Sequence, residues 1–219
     1  MNESTKYESI FVFIGIISFK LVISIMISTE QVKELRDKTG ISVMQCKKAL
    51  EETGGDLEKA LVVLKRKGNE VAEKKADREL KSGVVASYIH STGRVGAMVE
   101  LLCETDFVAN NDEFKQLAYD IAMQVAATDA QYLTANDINE EEMAKAKEII
   151  AKEVEGKPAD MQEKILQGKL DSYFSDKVLL NQSFIKDSDK TIEDLIKGAT
   201  QKFGERTEVG KFEKFIIGA

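Results

Sequence analysis

Between residues 28 and 67 the sequence repeats one device three times: a capping side chain, a short apolar stripe, then a change of character at glycine. In "STEQVKEL" Ser28 caps a helix and Gln31, three residues on, completes a capping box. Val32 and Leu35 face inward and Gly40 stops the helix. "SVMQCKKALEETGG" does the same with Ser42 and Gln45, an apolar stripe of Val43, Cys46, Ala49 and Leu50, and a stop at Gly54 and Gly55. "DLEKALVVLKRKG" starts at Asp56, turns Leu57, Ala60, Leu61 and Leu64 inward, and places Lys65 to Lys67 where the helix dipole favours cations. Helices this short are marginal alone, so the three stripes must bury one another. The chain therefore contains a compact three-helix bundle over residues 26–67, similar to a ubiquitin-associated-type (UBA-like) domain.

The charged stretch "NEVAEKKADRELKSG" follows and reads as a solvated connecting helix over residues 68–82. The period then changes. "GVVASYIHSTGRVGAMVELLCE" carries β-branched and aromatic residues on both sides of "STGR", the pattern of a two-stranded hairpin. Helical spacing returns with Phe114, Leu117, Ala118, Ile121, Ala122 and Val125, a stripe suited to packing on a sheet, with Asn110 and Glu113 as its cap. A helical hairpin over about residues 139–177 turns at "EGKP", and its first helix opens on the solvated acids Glu140, Glu141 and Glu142. "NQSFIKD" is a short extended piece, "TIEDLIKGATQKFG" a final helix, and "ERTEVGKFEKFIIGA" alternates as a closing strand. Residues 83–219 then form one core domain. The fold class is α+β: a helical bundle, then a small antiparallel sheet packed against helices, with a helical hairpin.

The amino end is unlike the rest. From Ile10 to Ile27 an apolar run is broken only by Gly15, Ser18, Lys20 and Ser24. Its apolar residues outweigh the cost of the central lysine, so the segment could enter a bilayer as a hydrophobic anchor. It does not match a secretory signal, because Glu3 and Glu8 offset Lys6 and no small-residue cleavage site follows. Met26 stands directly before the first capped helix. The expectation is that residues 1–25 are a leader from a wrongly assigned start, with no membrane association if Met26 is the true start.

Charge and composition narrow the chemistry. With 38 acidic and 31 basic residues the net charge is -7, against the basic footprint of a nucleic-acid binder. Cys46 and Cys103 lie far apart among apolar neighbours, His90 is the sole histidine, and no phosphate-binding glycine loop occurs. These residues suggest no catalytic group, metal site or cofactor; the chain is not read as an enzyme. The stretch that stands out is "CETDFVANNDEF". Thr105 and Asp106, then Phe107, sit between a strand and a capped helix, off the apolar stripe that begins at Phe114. Phe107 either folds back onto the sheet while Asp106 shapes the turn, or it is an aromatic anchor on a rigid tip, made to enter a partner's pocket.

"LRDKTG" and "CKKALEE", followed at this distance by "TDFVAN", resemble elongation factor Ts, and the resemblance runs from Met26 to Ala219. It implies a cytoplasmic guanine-nucleotide exchange factor for the GTPase elongation factor Tu in translation elongation. Leu35, Val43, Met44 and Lys47 would dock the bundle on the GTPase. The tip of Thr105, Asp106, Phe107 and Val108 would dislodge the bound magnesium ion. The chain resembles the short form of the family, which implies a homodimer and a 2:2 complex, with Phe212 and Phe215 as candidate self-association contacts. Ser183 stands where many members carry proline. The rival readings are a membrane-tethered module, or a scaffold that binds through its helical bundle without exchanging nucleotide.

Overall fold

The computed structural model describes residues 27–154 and 159–218; the leader and the "EGKP" turn lie outside the described residues. Two compact units result: residues up to Lys74 together with Thr200–Gly204, and Lys75–Ala199 together with Glu205–Ala219. No helix among the described residues is long and apolar enough to cross a membrane.

The first unit contains helices α1 (Thr29–Thr39), α2 (Val43–Glu52) and α3 (Leu57–Lys75). The capping box forms as spaced: Gln31 N–H donates to Ser28 Oγ at 3.2 Å, and Ser28 N–H donates to Gln31 Oε1 at 3.0 Å. Gly40 ends α1 in the left-handed region, at φ +68°. Ser42 and Asp56 accept from Gln45 N–H and Lys59 N–H at the other two starts, but the second box is only half made, because Gln45 Oε1 accepts from Gln201 Nε2 at 3.0 Å. Val32, Leu35, Ile41, Cys46, Ala49, Leu50, Ala60 and Leu64 form one buried core. Val43 departs from the expected stripe and stands exposed at the start of α2.

The third helix also differs from expectation. It does not break near Gly68 but runs on to Lys75, taking in the first part of the presumed connector. Gly68 is buried in helical conformation, and a Cβ there would lie 2.9 Å from Gln201 Oε1. This glycine answers a close approach, whereas the stop at Gly40 answers a positive φ.

In the second unit, strands β1 (Ser82–Ile89), β2 (Val95–Cys103) and β5 (Glu208–Ile216) form an antiparallel sheet in the order β1-β2-β5. The hairpin turns at "STGR", where Gly93 has φ +65° and donates to the His90 carbonyl at 2.7 Å. A one-turn helix α4 (Asp106–Ala109) follows β2, then α5 (Asp112–Ala127), which packs across the sheet. Asn111, not Asn110, caps α5: its Oδ1 accepts from Glu113 N–H at 2.8 Å. Asn110 is already committed to closing α4, with its N–H on the Asp106 carbonyl.

Helices α6 (Glu140–Val154) and α7 (Ala159–Ser175) pair through a separate core that includes Ala146, Ile150, Leu170 and Phe174. The extended piece expected at "NQSFIKD" has a partner that periodicity did not reveal. Strand β3 (Ser183–Phe184) pairs with β4 (Asp187–Thr191), whose "DSDKT" has no alternating apolar pattern. Thr191 and Asp194 then cap α8 (Ile192–Phe203) reciprocally.

Gln124 interrupts the apolar stripe of α5 and is fully buried. Its Nε2 donates to Gln182 Oε1 and the Ser183 carbonyl at 3.0 and 3.1 Å, and its Oε1 accepts from Ile185 N–H at 2.9 Å. One side chain thus fastens α5 to the β3–β4 hairpin through both of its donor hydrogens and its carbonyl oxygen. Gln124→Leu keeps the volume but strands these polar groups in the core. We expect a loss of about 2 kcal/mol in urea unfolding, within the range for an unsatisfied buried group.

Candidate functional site

β2 ends at buried Cys103, and the next six residues make the tip. Thr105 is extended at φ -129°, and α4 begins behind it. Ala109 N–H and Asn110 N–H close the turn on the carbonyls of Thr105 and Asp106. One helical turn places its residues on opposite sides. Val108 and Ala109 are buried, with Val108 3% exposed, while Asp106 is exposed and Phe107 is 82% exposed. Of the two readings of Phe107, the folded-back one is not the conformation found.

The base of the tip is gripped from two other parts of the unit. Arg78 Nη1 donates to both carboxylate oxygens of Glu104, at 3.0 and 3.3 Å, and Arg206 N–H donates to the same carboxylate at 2.6 Å. Arg206 Nη1 donates in turn to the Arg78 carbonyl at 2.7 Å. Beside it, Glu205 accepts both the N–H and the hydroxyl of Thr105, at 3.0 and 2.7 Å. Cys103 Sγ donates to the Thr105 carbonyl at 3.2 Å. Burial, helped by the nearby Glu205 charge, pushes the Cys103 thiol up and keeps it protonated for that contact. Sequence reading did not find Arg78, Glu104, Glu205 or Arg206. Arg78 lies 26 positions before Glu104, and Glu205 and Arg206 lie about a hundred beyond the tip, so no local pattern links them.

The bundle residues divide by depth. Leu35, expected on the docking surface, is instead fully buried in the bundle core, whereas Met44 is 70% exposed and Val43 stands beside it. Lys47 is exposed within 3.8 Å of Glu51. Val43 and Lys47 line a shallow groove with Ile27, Val32, Lys33 and Arg36, an apolar floor with a basic rim.

The strand register separates the two carboxyl-terminal aromatics. Phe212 pairs with Val99 and faces α5, half-buried, while Phe215 pairs with Gly96 on the opposite face and is 65% exposed. Val85, Ile89 and Met98 share that outer face and are also exposed. Among the described residues no group of His, Cys, Asp and Glu could hold a metal ion.

The grip on Glu104 has a pH signature. Burial raises its carboxyl pKa, but the Arg206 N–H and the Arg78 guanidinium outweigh burial and hold it below the usual glutamate value. A depressed carboxylate stabilises the fold above its unfolded pKa and loses that contribution as pH falls through the folded one. Glu104→Gln should therefore be less stable than the parent at neutral pH. Urea titrations at stepped pH should show the gap closing only below the ordinary glutamate range.

The family model described as "Elongation factor TS" matches residues 29–219. An elongation factor Ts from Thermodesulfovibrio yellowstonii is 51% identical over 193 residues, 88% of this chain and 96% of the relative. One from Coprothermobacter proteolyticus is 48% identical over 194 residues, covering 88% and 98%. A third, from Thermosipho melanesiensis, is 47% identical and matched along 100% of its length. Similarity of this extent covers both units and the tip together, and the chain belongs to the elongation factor Ts family.

Proposed function

We propose that the chain is the guanine-nucleotide exchange factor for elongation factor Tu and acts in the cytoplasm during translation elongation. Family membership supports this reading, and the observation that carries it is the exposure of Phe107 on a turn anchored by buried Val108. A large aromatic held in water on a fixed mount is suited to a partner's pocket, where such residues dominate binding energy.

In this mechanism the UBA-like bundle, residues 26–67, docks on the GTPase through Val43, Met44 and Lys47, with Leu35 supporting them from beneath. The core domain, residues 83–219, brings Thr105, Asp106 and Phe107 beside the nucleotide site, and Val108 holds the turn down. Phe107 separates packed side chains on the GTPase, and the shift disturbs the magnesium ion and the phosphate loop. Without the ion much of the phosphate charge is no longer neutralised, so GDP leaves. No covalent bond is made or broken, and the factor is not an enzyme in that sense. Linkage makes the effect reciprocal: nucleotide weakens the hold on this factor as much as the factor weakens the hold on nucleotide. Incoming GTP therefore expels it.

A second copy would cover the outer sheet face, where Val85, Ile89, Met98 and Phe215 form an exposed apolar set, and the complex would be 2:2. Phe215→Asp places a charge in that face, and sedimentation should then report monomers. A dimer of unchanged strength would exclude this surface.

The exchange reading is tested by release of a fluorescent GDP analogue from elongation factor Tu. Catalytic amounts of the chain should accelerate release. Phe107→Ala and Asp106→Ala should each slow it about tenfold or more while complex formation persists, in keeping with hot-spot energies of about 2 to 4 kcal/mol. No acceleration by the parent chain would leave only a scaffold that binds without exchanging, and acceleration undiminished in both variants would remove the tip from the mechanism.

A further inference from the structure

We infer that Glu205 is a positioning residue for exchange: by holding Thr105 it sets the direction in which Phe107 projects. The inference rests on the exchange reading above.

The geometry at Thr105 is unusual for the residue before a helix. A threonine there ordinarily turns its hydroxyl back to accept from the first N–H groups of the helix. Here the hydroxyl makes no capping bond and donates outward to Glu205 Oε1 at 2.7 Å, while the Thr105 N–H donates to Glu205 Oε2 at 3.0 Å. Two bonds from one residue to the two oxygens of one carboxylate fix both the backbone and the side-chain rotation of Thr105. Bonds to a charged acceptor are also the stronger kind.

Besides the grip on Glu104 and the Cys103 contact to the Thr105 carbonyl, the Glu205 bonds are the directional hold nearest α4. Four residues cannot sustain a helix by themselves, since the first turn costs more order than its hydrogen bonds return. Val108 and Ala109 hold the turn down by burial, which is not directional. The Glu205 bonds are directional and lie two residues from Phe107. Glu205 has a firm base of its own. Before it, Gly204 ends α8 at φ +71°, and after it Arg206 donates its N–H to Glu104. Residues 104–105 and 205–206 are thus linked twice, 104 to 206 and 105 to 205.

A wedge depends on such mounting, because about 1 Å of misplacement can cost a hundredfold in rate. Glu205 meets no partner in this account. It acts through Thr105 and need not alter how tightly the factor binds.

The test uses the full chain and follows release of a fluorescent GDP analogue from elongation factor Tu at increasing factor concentration. Glu205→Ala should lower the maximal release rate about tenfold, the scale of one hydrogen bond to a charged group, with half-saturation within about twofold of the parent. Glu205→Gln, which keeps one acceptor oxygen, should recover part of the loss. Thr105→Val combined with Glu205→Ala should be no slower than the slower single variant. Amide hydrogen exchange should quicken at Thr105–Asn110 in Glu205→Ala and nowhere else. An unchanged maximal rate, additive losses, a loss confined to half-saturation, or loosening across the whole second unit would each overturn the inference. Phe107→Ala, run alongside, separates the two readings. Slow release with Phe107→Ala but normal release with Glu205→Ala leaves exchange standing and removes only the role of Glu205. Normal release with Phe107→Ala removes the wedge that Glu205 is argued to position, and no acceleration by the parent chain removes the exchange reading itself.

Discussion

The pairing of β5 with β2 is the constraint on which the second unit depends. It joins the last strand of the chain to one more than a hundred residues earlier, from Val95↔Ile216 to Leu102↔Glu208. The register skips Gly210, where a Cβ would meet the Glu100 carboxylate and Leu102 Cδ1, so a larger residue at that bulge would require those side chains to move. Once the strands are in register, the segment entering β5 must run beside the segment leaving β2. That adjacency brings Glu205 and Arg206 to Thr105 and Glu104. The tip is therefore mounted by the closing of the sheet as much as by its own residues.

The same pairing decides which surfaces are left exposed. Ala97, Val99 and Leu101 of β2, with Val209 of β5, are buried on the side that receives α5. Along each strand the alternate residues point the other way, and there Val85, Ile89, Met98 and Phe215 remain in water. A three-stranded sheet with a single covering helix has one face left over. In the first unit the division is simpler. Interlocking stripes fill the core, and Val43 and Met44 are left on the surface beside Lys47.

In the exchange role proposed above, the factor must bind firmly enough to dislodge a nucleotide and loosely enough to be displaced by one. A small rigid projection suits both needs, because it acts at one point and buries little area. Here the projection is one helical turn held at its base by charged hydrogen bonds, Glu104 to Arg78 and Arg206, and Glu205 to Thr105. Polar contacts of this kind depend on direction, and they orient a side chain in a way that apolar burial does not.

Much of the architecture was legible in the chain because it rests on contacts between near neighbours. Ser28 with Gln31, Ser42 with Gln45, and the glycine stop at Gly40 are helix ends written within a few residues. The hairpin around "STGR" and the apolar stripe of α5 follow from periods of two and of three to four. Errors appeared where one residue could serve two local roles. Asn110 and Asn111 could each cap a helix, and Gly68 could stop one or admit a neighbour; the choice was made by α4 and by Gln201. β4, without an apolar pattern, was found only through its partner β3. The sequence by itself determined the capped helices, the hairpin and the α5 stripe, and it picked out Phe107 as the odd aromatic. Only the tertiary structure decided that Phe107 stands in water, that Phe212 and Phe215 face opposite ways, and that Glu205 holds Thr105. Those outcomes depend on strand register and on pairs some hundred positions apart, and local periodicity carries no information at that distance.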